Sequence, residues 1–289
     1  MAREDSNGWL SEVIGRLSDE GSYGRLCHVA SHEVELPSGE VLGEIIGLCR
    51  MILFPGYFER ARINRESVRF YGGGVHVATL RRLLIEQIYA GLCFSEQGEG
   101  TDDALLRVRS EELAESFLKA LPSIRDLLAT DAEATFDGDP AATNLREVIF
   151  CYPGLRAIAN YRVAHCLFQL GVPYIPRMIT EMAHRETGID IHPGAVIGHH
   201  FSIDHGTGTV IGETSEIGNH VGPDANGNTI RGVRRHPVLA DHVTVYSNST
   251  LIGRIHVGEG ATVCGNVWLA EDVPAGATVT QEGIVERKA

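Results

Sequence analysis

The chain has 289 residues, enough for two domains of ordinary size or one extended one. Its 38 acidic against 25 basic side chains give a formal charge of −13, which argues against a sequence-independent grip on nucleic-acid phosphates or anionic lipid. The start, Met1 to Gly8, has no apolar signal core, the most apolar stretch, Val41 to Phe54, is broken by Glu44 and Arg50, and the six cysteines form no C-x-x-C pair; the expectation is a cytoplasmic protein with reduced thiols, no disulfide framework and no cysteine zinc site.

Up to residue 187 the apolar residues run at helical spacing. The pattern predicts helices at about 7–17, 38–53, 77–92 and 104–129, with acid-rich loops such as Glu96 to Asp103 between them. A further buried face is written by Leu155, Ile158, Ala159, Val163, Cys166, Leu167 and Leu170, and it stops at Gly171, where a left-handed cap is cheap. Another, Ile175, Met178, Ile179, Met182 and Ala183, has Pro176 near its start and ends at Thr187-Gly188. Residues 1–187 are therefore expected to form an all-helical N-terminal domain.

From Gly188 the chain changes character: 16 of the 33 glycines fall in the last 102 residues. Leu239, Val245, Leu251, Val257, Val263 and Leu269 recur at every sixth position, and Val243, Ser249, Ile255, Ala261, Val267 and Val273, four places further on each time, are small or β-branched. Ile191, Ile197, Ile203, then Ile211 and Ile217 after a two-residue slip, extend the pattern upstream. This hexapeptide period belongs to a parallel β-helix, in which three short strands make one triangular coil of about 18 residues and coils stack at the ~4.8 Å strand spacing. Such hexads coil left-handed in the known folds. The expected fold class is thus α+β, an all-helical N-terminal domain followed by a left-handed β-helix over 188–289 with a loop at 222–236. Glycine and asparagine are expected at the corners, where φ is positive. The 22-residue gap from Ile217 to Leu239 is no multiple of six and predicts an interruption of the coil there. The strand edges at the coil ends need covers, for which the upstream helices and the tail from Pro274 are available, and the flat faces predict a homo-oligomer, a trimer or a dimer of trimers.

The specific chemistry lies in the turns. Thr187-Gly-Ile-Asp190-Ile-His192-Pro-Gly-Ala-Val-Ile-Gly198, followed by Ile203-Asp204-His205-Gly-Thr-Gly208-Thr-Val-Ile-Gly-Glu213-Thr, resembles the serine O-acetyltransferases. So do Asp139-Pro140-Ala141, Tyr152-Pro-Gly-Leu, Tyr161-Arg-Val-Ala-His165 and Arg235-His236-Pro237, and the likeness runs from about Asp139 to Val279. It implies transfer of acetyl from acetyl-CoA to the hydroxyl of L-serine, the committed step towards cysteine, without a metal. It also implies a site between neighbouring subunits, and residues 1–130 match the family's variable helical region.

The physical reading of these residues agrees. A neutral serine hydroxyl is a poor nucleophile, so a base must take its proton as the thioester is attacked. His205 is the candidate base, since imidazole titrates near neutrality. Asp190, 15 residues earlier and so a little under one coil away, is placed to hold the far imidazole nitrogen, the orienting half of a triad. By resemblance Asp139 and Asp204 hold the substrate amino group, Arg235 its carboxylate, His236 is a second active-site histidine, Ser247 contacts the cofactor, and L-cysteine competes with serine. His165 and His192 are read as structural.

The likeness has gaps. The family's Q-G-V-T-L-G strand, which lies beside the acetyl-CoA groove, is absent, because Ile217-Gly-Asn-His-Val221 runs straight into the polar stretch 222–234. Thr262 stands where many members carry a lysine near the cofactor phosphates, and the C-terminus lacks the isoleucine that docks the family into cysteine synthase, so that complex is not expected. Two other readings stay open: a catalytically impaired paralogue acting through assembly or binding, and a γ-type carbonic anhydrase, for which His200 and His205 have a zinc-ligand spacing.

Overall fold

The computed structural model of the protein describes residues 8–28, 32–59, 74–95, 100–218, 234 and 236–285. Residues 1–34 and 35–289 form two compact units. The first contains helices α1 (Gly8–Leu17) and α2 (Glu20–Tyr23). The second begins with α3 (Gly39–Leu53), α4 (His76–Phe94), α5 (Asp103–Gly138), α6 (Leu145–Cys151), α7 (Pro153–Gln169) and α8 (Ile175–Thr187). The local reasons are ordinary ones. Ser38 caps α3 by accepting the Val41 N–H, Asn144 caps α6 through Glu147, and Gly188 ends α8 at φ 73°. The helices close on a core that includes Leu42, Ile45, Leu80, Leu84, Ile88, Phe117, Leu128, Ile158 and Leu167.

Helix α5 runs past the expected end near 129 to Gly138, through Pro122. Pro122 removes one N–H from the ladder, but Phe117, Leu121, Ile124, Leu128 and Ala132 bury one face on both sides of it, and that burial outweighs the lost bond. The extension matters because it delivers Asp139 to the end of the helix.

After Gly188 come ten two-residue strands, β1 (Asp190–Ile191), β2 (Val196–Ile197), β3 (Val210–Ile211), β4 (Glu216–Ile217), β5 (Val238–Leu239), β6 (Thr244–Val245), β7 (Thr250–Leu251), β8 (His256–Val257), β9 (Thr262–Val263) and β10 (Trp268–Leu269), then β11 (Thr278–Thr280) and β12 (Gly283–Val285). They stack in parallel ladders: β1 on β3, β2-β4-β5-β8 in one sheet, β6-β9-β11 in another, and β7 on β10. Leu239 faces Val257, Val245 faces Val263 and Leu251 faces Leu269, each pair 18 positions apart, so three hexads make one rung. Ile255, Val257, Ala261, Val263, Val267, Leu269, Val273, Ala277 and Val279 fill the interior. Each of the larger ones contributes on the order of 1.5–3 kcal/mol by leaving water. Val245 departs from the expected inward set at 41 % exposed, because β6 is the end strand of its sheet. Corners do use Asn248 and Asn266 at positive φ, but also His200, His205 and His242.

On one face the ladder runs across the 22-residue gap, with Ile217 paired to Leu239 in the β4–β5 register, whereas among the described residues the sheet of β3 is not joined across it to that of β7, and β6 is the end strand of its sheet. Residues 219–233, which include most of the expected loop at 222–236, lie outside those described.

Neighbouring elements meet the coil at both of its ends. Antiparallel β12 folds back on β11 and occupies its free edge. At the other end the first rung sends carbonyls towards α7, and side chains of that helix take them. Tyr161 Oη donates to Ala195 O (2.6 Å), Arg162 donates to Ile197 O (2.6 Å) and Gly198 O (2.5 Å), and His165 Nδ1 lies 2.7 Å from Pro193 O. Arg162 is simultaneously held by Asp131 through two 3.0 Å bonds, with both side chains buried. Asp131 also accepts the Phe201 N–H at 2.9 Å, so α5 and α7 together fix the segment leading to Asp204 and His205. Burial keeps the His165 and His192 imidazoles below their ordinary pKa.

Candidate active site

Asp139 is the residue that stops α5, and Tyr152 is the residue that starts α7. Tyr152 Oη donates to Asp139 Oδ2 at 2.5 Å, while Asp139 Oδ1 accepts the Ala141 N–H at 2.8 Å. The Tyr152 bond, then the Ala141 amide, hold the Asp139 carboxyl below the ordinary carboxylate range, and the nearby His205 adds to this. The same bond raises the Tyr152 phenol to about 12. Asp204 is among the charges acting on Tyr152, so Asp139, Tyr152, Asp204 and His205 share one patch of surface where the helices meet the first rung.

His205 sits at a corner with φ 52°, and its side chain is 94 % exposed. Its Nε2 lies 3.7 Å from Asp204 Oδ1. What brings this corner to the helices is a backbone contact: the Gly154 Cα lies so near Ile203 that a Cβ there would stand 2.1 Å from the Ile203 carbonyl oxygen. Only glycine permits that approach.

The other expected residues fall in several places. Asp190, on β1, pairs with Val210, and its carboxylate bonds to Arg177 at 3.3 Å; no hydrogen bond joins it to His205. Strand pairing matches Asp190 to the next rung 20 positions on, whereas His205 lies at a corner before that rung closes, so closeness in sequence does not put them in register. His236 precedes β5, and its Nδ1 accepts the Thr214 N–H at 3.1 Å and lies 2.9 Å from Thr214 Oγ1. Arg235 lies outside the described residues. Ser247 is exposed in the turn between β6 and β7, and its carbonyl accepts the Asn266 N–H at 3.1 Å. Thr262 is in β9, between Thr244 and Thr278. His192 accepts the Gly194 N–H on Nδ1 at 3.0 Å, a turn-holding bond. His200 is paired with His199, ring nitrogen to ring nitrogen at 2.9 Å.

Sequence reasoning missed the roles of Tyr152, Gly154, Gly212 and Thr214. The signal for two of them was present, since Tyr-Pro-Gly opens a helix whose first residues have no side-chain cap and are free to face a site. Among the described residues no helix is long and apolar enough to cross a membrane.

A helical bundle closed onto a coil of hexapeptide rungs, with carboxylates and imidazoles gathered where the two meet, defines an acyltransferase of the hexapeptide-repeat class. No protein-family model matches the chain. A serine acetyltransferase described as plasmid, from Synechococcus elongatus, is 43 % identical over 292 residues, which cover 95 % of this chain and 91 % of that one. Among solved structures, serine acetyltransferase 1 from Entamoeba histolytica in complex with L-cysteine is 30 % identical with a TM-score of 0.67, covering 94 % of this chain and 95 % of the other. Soybean serine acetyltransferase complexed with serine is 28 % identical with a TM-score of 0.51, covering 83 % and 94 %. The chain belongs to the serine acetyltransferase family, and its coil is the left-handed β-helix of that family.

Proposed function

We propose that the protein transfers the acetyl group of acetyl-CoA to the hydroxyl of L-serine, and that the cluster of Asp139, Tyr152, Asp204 and His205 is the serine half of the site. The observation that carries this is the Tyr152–Asp139 hydrogen bond, which keeps a carboxylate ionised beside an exposed histidine. Asp139 and Asp204 supply the two negative charges that a substrate ammonium needs, and Arg235 receives its carboxylate. His205 takes the hydroxyl proton as the serine Oγ–carbon bond forms, and the proton passes to the sulfur as the carbon–sulfur bond breaks, leaving free CoA and O-acetylserine. His236 donates a hydrogen bond to the reacting or carboxylate oxygen. Asp190 joins His205 only if the imidazole, which no neighbour packs in place, turns about its side-chain torsions away from Asp204. Ser247 stands on the exposed coil surface as the cofactor contact.

The test is release of CoA thiol from acetyl-CoA with and without L-serine. Serine-dependent release that disappears in His205→Ala, with oligomer and thermal midpoint kept, supports the assignment; no release from folded wild-type protein would make this a paralogue that works through binding, and zinc-dependent CO2 hydration would make it a carbonic anhydrase. L-Cysteine is proposed to compete with serine, as one relative was solved with cysteine bound. A homo-oligomer, a trimer or a dimer of trimers, is supported by Val196, Val210, Tyr246, Ile252 and Trp268 standing exposed on the coil. The residue ranges 1–187 and 188–289 are proposed as its helical and coil domains and the cytoplasm as its compartment; the terminal residues 286–289, on which docking to cysteine synthase bears, lie outside those described.

A further inference from the structure

Thr214, His236 and Arg254 each precede by two residues a strand of the same sheet, β4, β5 and β8, so they stack at one corner of three successive rungs. Within this column the imidazole of His236 is held on several sides. Gly212 lies so close to it that a Cβ at that position would be 2.2 Å from Nε2. Thr214 donates its N–H to Nδ1, and the His236 N–H donates back to Thr214 Oγ1 at 3.3 Å. Beneath both, Arg254 Nη1 donates to the carbonyl oxygens of Thr214 (2.9 Å) and His236 (3.1 Å). Arg254 Nη2 bonds Glu216 Oε1 at 2.8 Å, and Arg234 reaches the same oxygen from the exposed side at 2.5 Å. The Arg254 and Glu216 side chains are only 4 % and 8 % exposed.

A guanidinium withdrawn from water is costly to bury, and it is retained where its donors do something a hydrocarbon cannot. Here they tie together the two backbone segments whose relative placement decides whether Thr214 meets Nδ1. With Nδ1 accepting from a backbone amide, the neutral imidazole carries its proton on Nε2. We propose that Arg254, charge-balanced by Glu216, is a positioning residue for His236: it clamps the Thr214 and His236 carbonyls and so fixes that imidazole in place as an Nε2–H donor. The proposal rests on His236 serving the site described above, and it adds a residue outside the motif that identifies the site.

Three variants test it: Arg254→Met, Arg254→Lys, and the double variant Arg254→Met with Glu216→Gln, which removes the buried carboxylate charge that the single variant would strand. Thermal unfolding reports the fold, nitrogen-15 NMR of labelled histidine reports the His236 tautomer, and steady-state assays separate kcat from the KM for serine. The expected result is that the double variant recovers thermal stability lost in Arg254→Met but not the Nε2–H signature, and that kcat stays about 10- to 100-fold down, as for a misplaced catalytic group. Arg254→Lys recovers part of both. A folded double variant with the wild-type signature and rate overturns the proposal, as does a rate that returns in step with the thermal midpoint. Full activity in His236→Ala would instead overturn the place of His236 in the site, and the NMR signature would then decide the clamp on its own.

Discussion

At Gly154 the backbone of α7 lies against that of the coil, and Gly154→Ala exploits it. A Cβ there meets the Ile203 carbonyl oxygen at 2.1 Å, where ordinary contact begins at 3.4 Å, so the carbonyl must withdraw by about 1.3 Å, the difference of the two. The atom that must move is backbone, two residues from His205, and it cannot swing away as a side-chain tip would. The overpacking itself costs about 1–3 kcal/mol of stability. The effect on rate is larger: displacing a catalytic group by about 1 Å costs on the order of 100-fold. Serine-dependent CoA release should therefore fall by about two orders of magnitude at a temperature where circular dichroism still shows a folded protein. Gly43→Ala is the control, since its Cβ would meet nothing nearer than the Met182 methyl at 3.7 Å in a helix where alanine is favoured. Wild-type kcat/KM in Gly154→Ala, or a loss of activity that only tracks unfolding, would refute the reasoning that this contact sets the position of His205.

Other consequences follow from the same geometry. Arg162→Met strands the buried Asp131 and frees the carbonyls of Ile197 and Gly198, and should cost about 3–5 kcal/mol, a fall in thermal midpoint on the order of 10 °C by calorimetry. Tyr152→Phe removes the donor to Asp139 and should raise the KM for serine by about tenfold with little change in the KM for acetyl-CoA. Burial depresses the folded-state pKa of His165 and His192, so the unfolded chain takes up protons first. Stability is then full above the ordinary value of 6.5 and declines as pH falls below it. Urea midpoints from pH 8 to 5 should show this decline, and His165→Gln should flatten it.

The period of six, the glycine content and the D-I-H-P and D-H-G-T-G turns were enough to place a hexapeptide coil after a helical region and to point to an acetyltransferase. Repeats declare themselves in sequence because each rung solves the same packing problem with the same residue sizes: Val257, Val263 and Leu269 are interior for one reason repeated three times. The helix faces were legible on the same grounds, and Gly171 and Gly188 marked ends because positive φ at a cap favours glycine.

What sequence could not show is whatever depends on which rung meets which. Spacing put Asp190 within a coil of His205, yet the strand register gives Asp190 to Val210 and its carboxylate to Arg177. Spacing marked the 22-residue gap as irregular without showing that on one face Ile217 and Leu239 pair across it, since a ladder needs only that its paired residues match, whatever number of residues lies between them. Nor does any local pattern announce that Tyr152 ends at Asp139, that Gly154 rests on Ile203, or that Arg254 lies beneath His236. The residues themselves, by size, charge and period, determined the elements and the chemistry they carry; only the stacking of rungs and the closing of α5 and α7 onto the first of them decided which groups face one another, because those contacts join positions whose separation along the chain has no period to read.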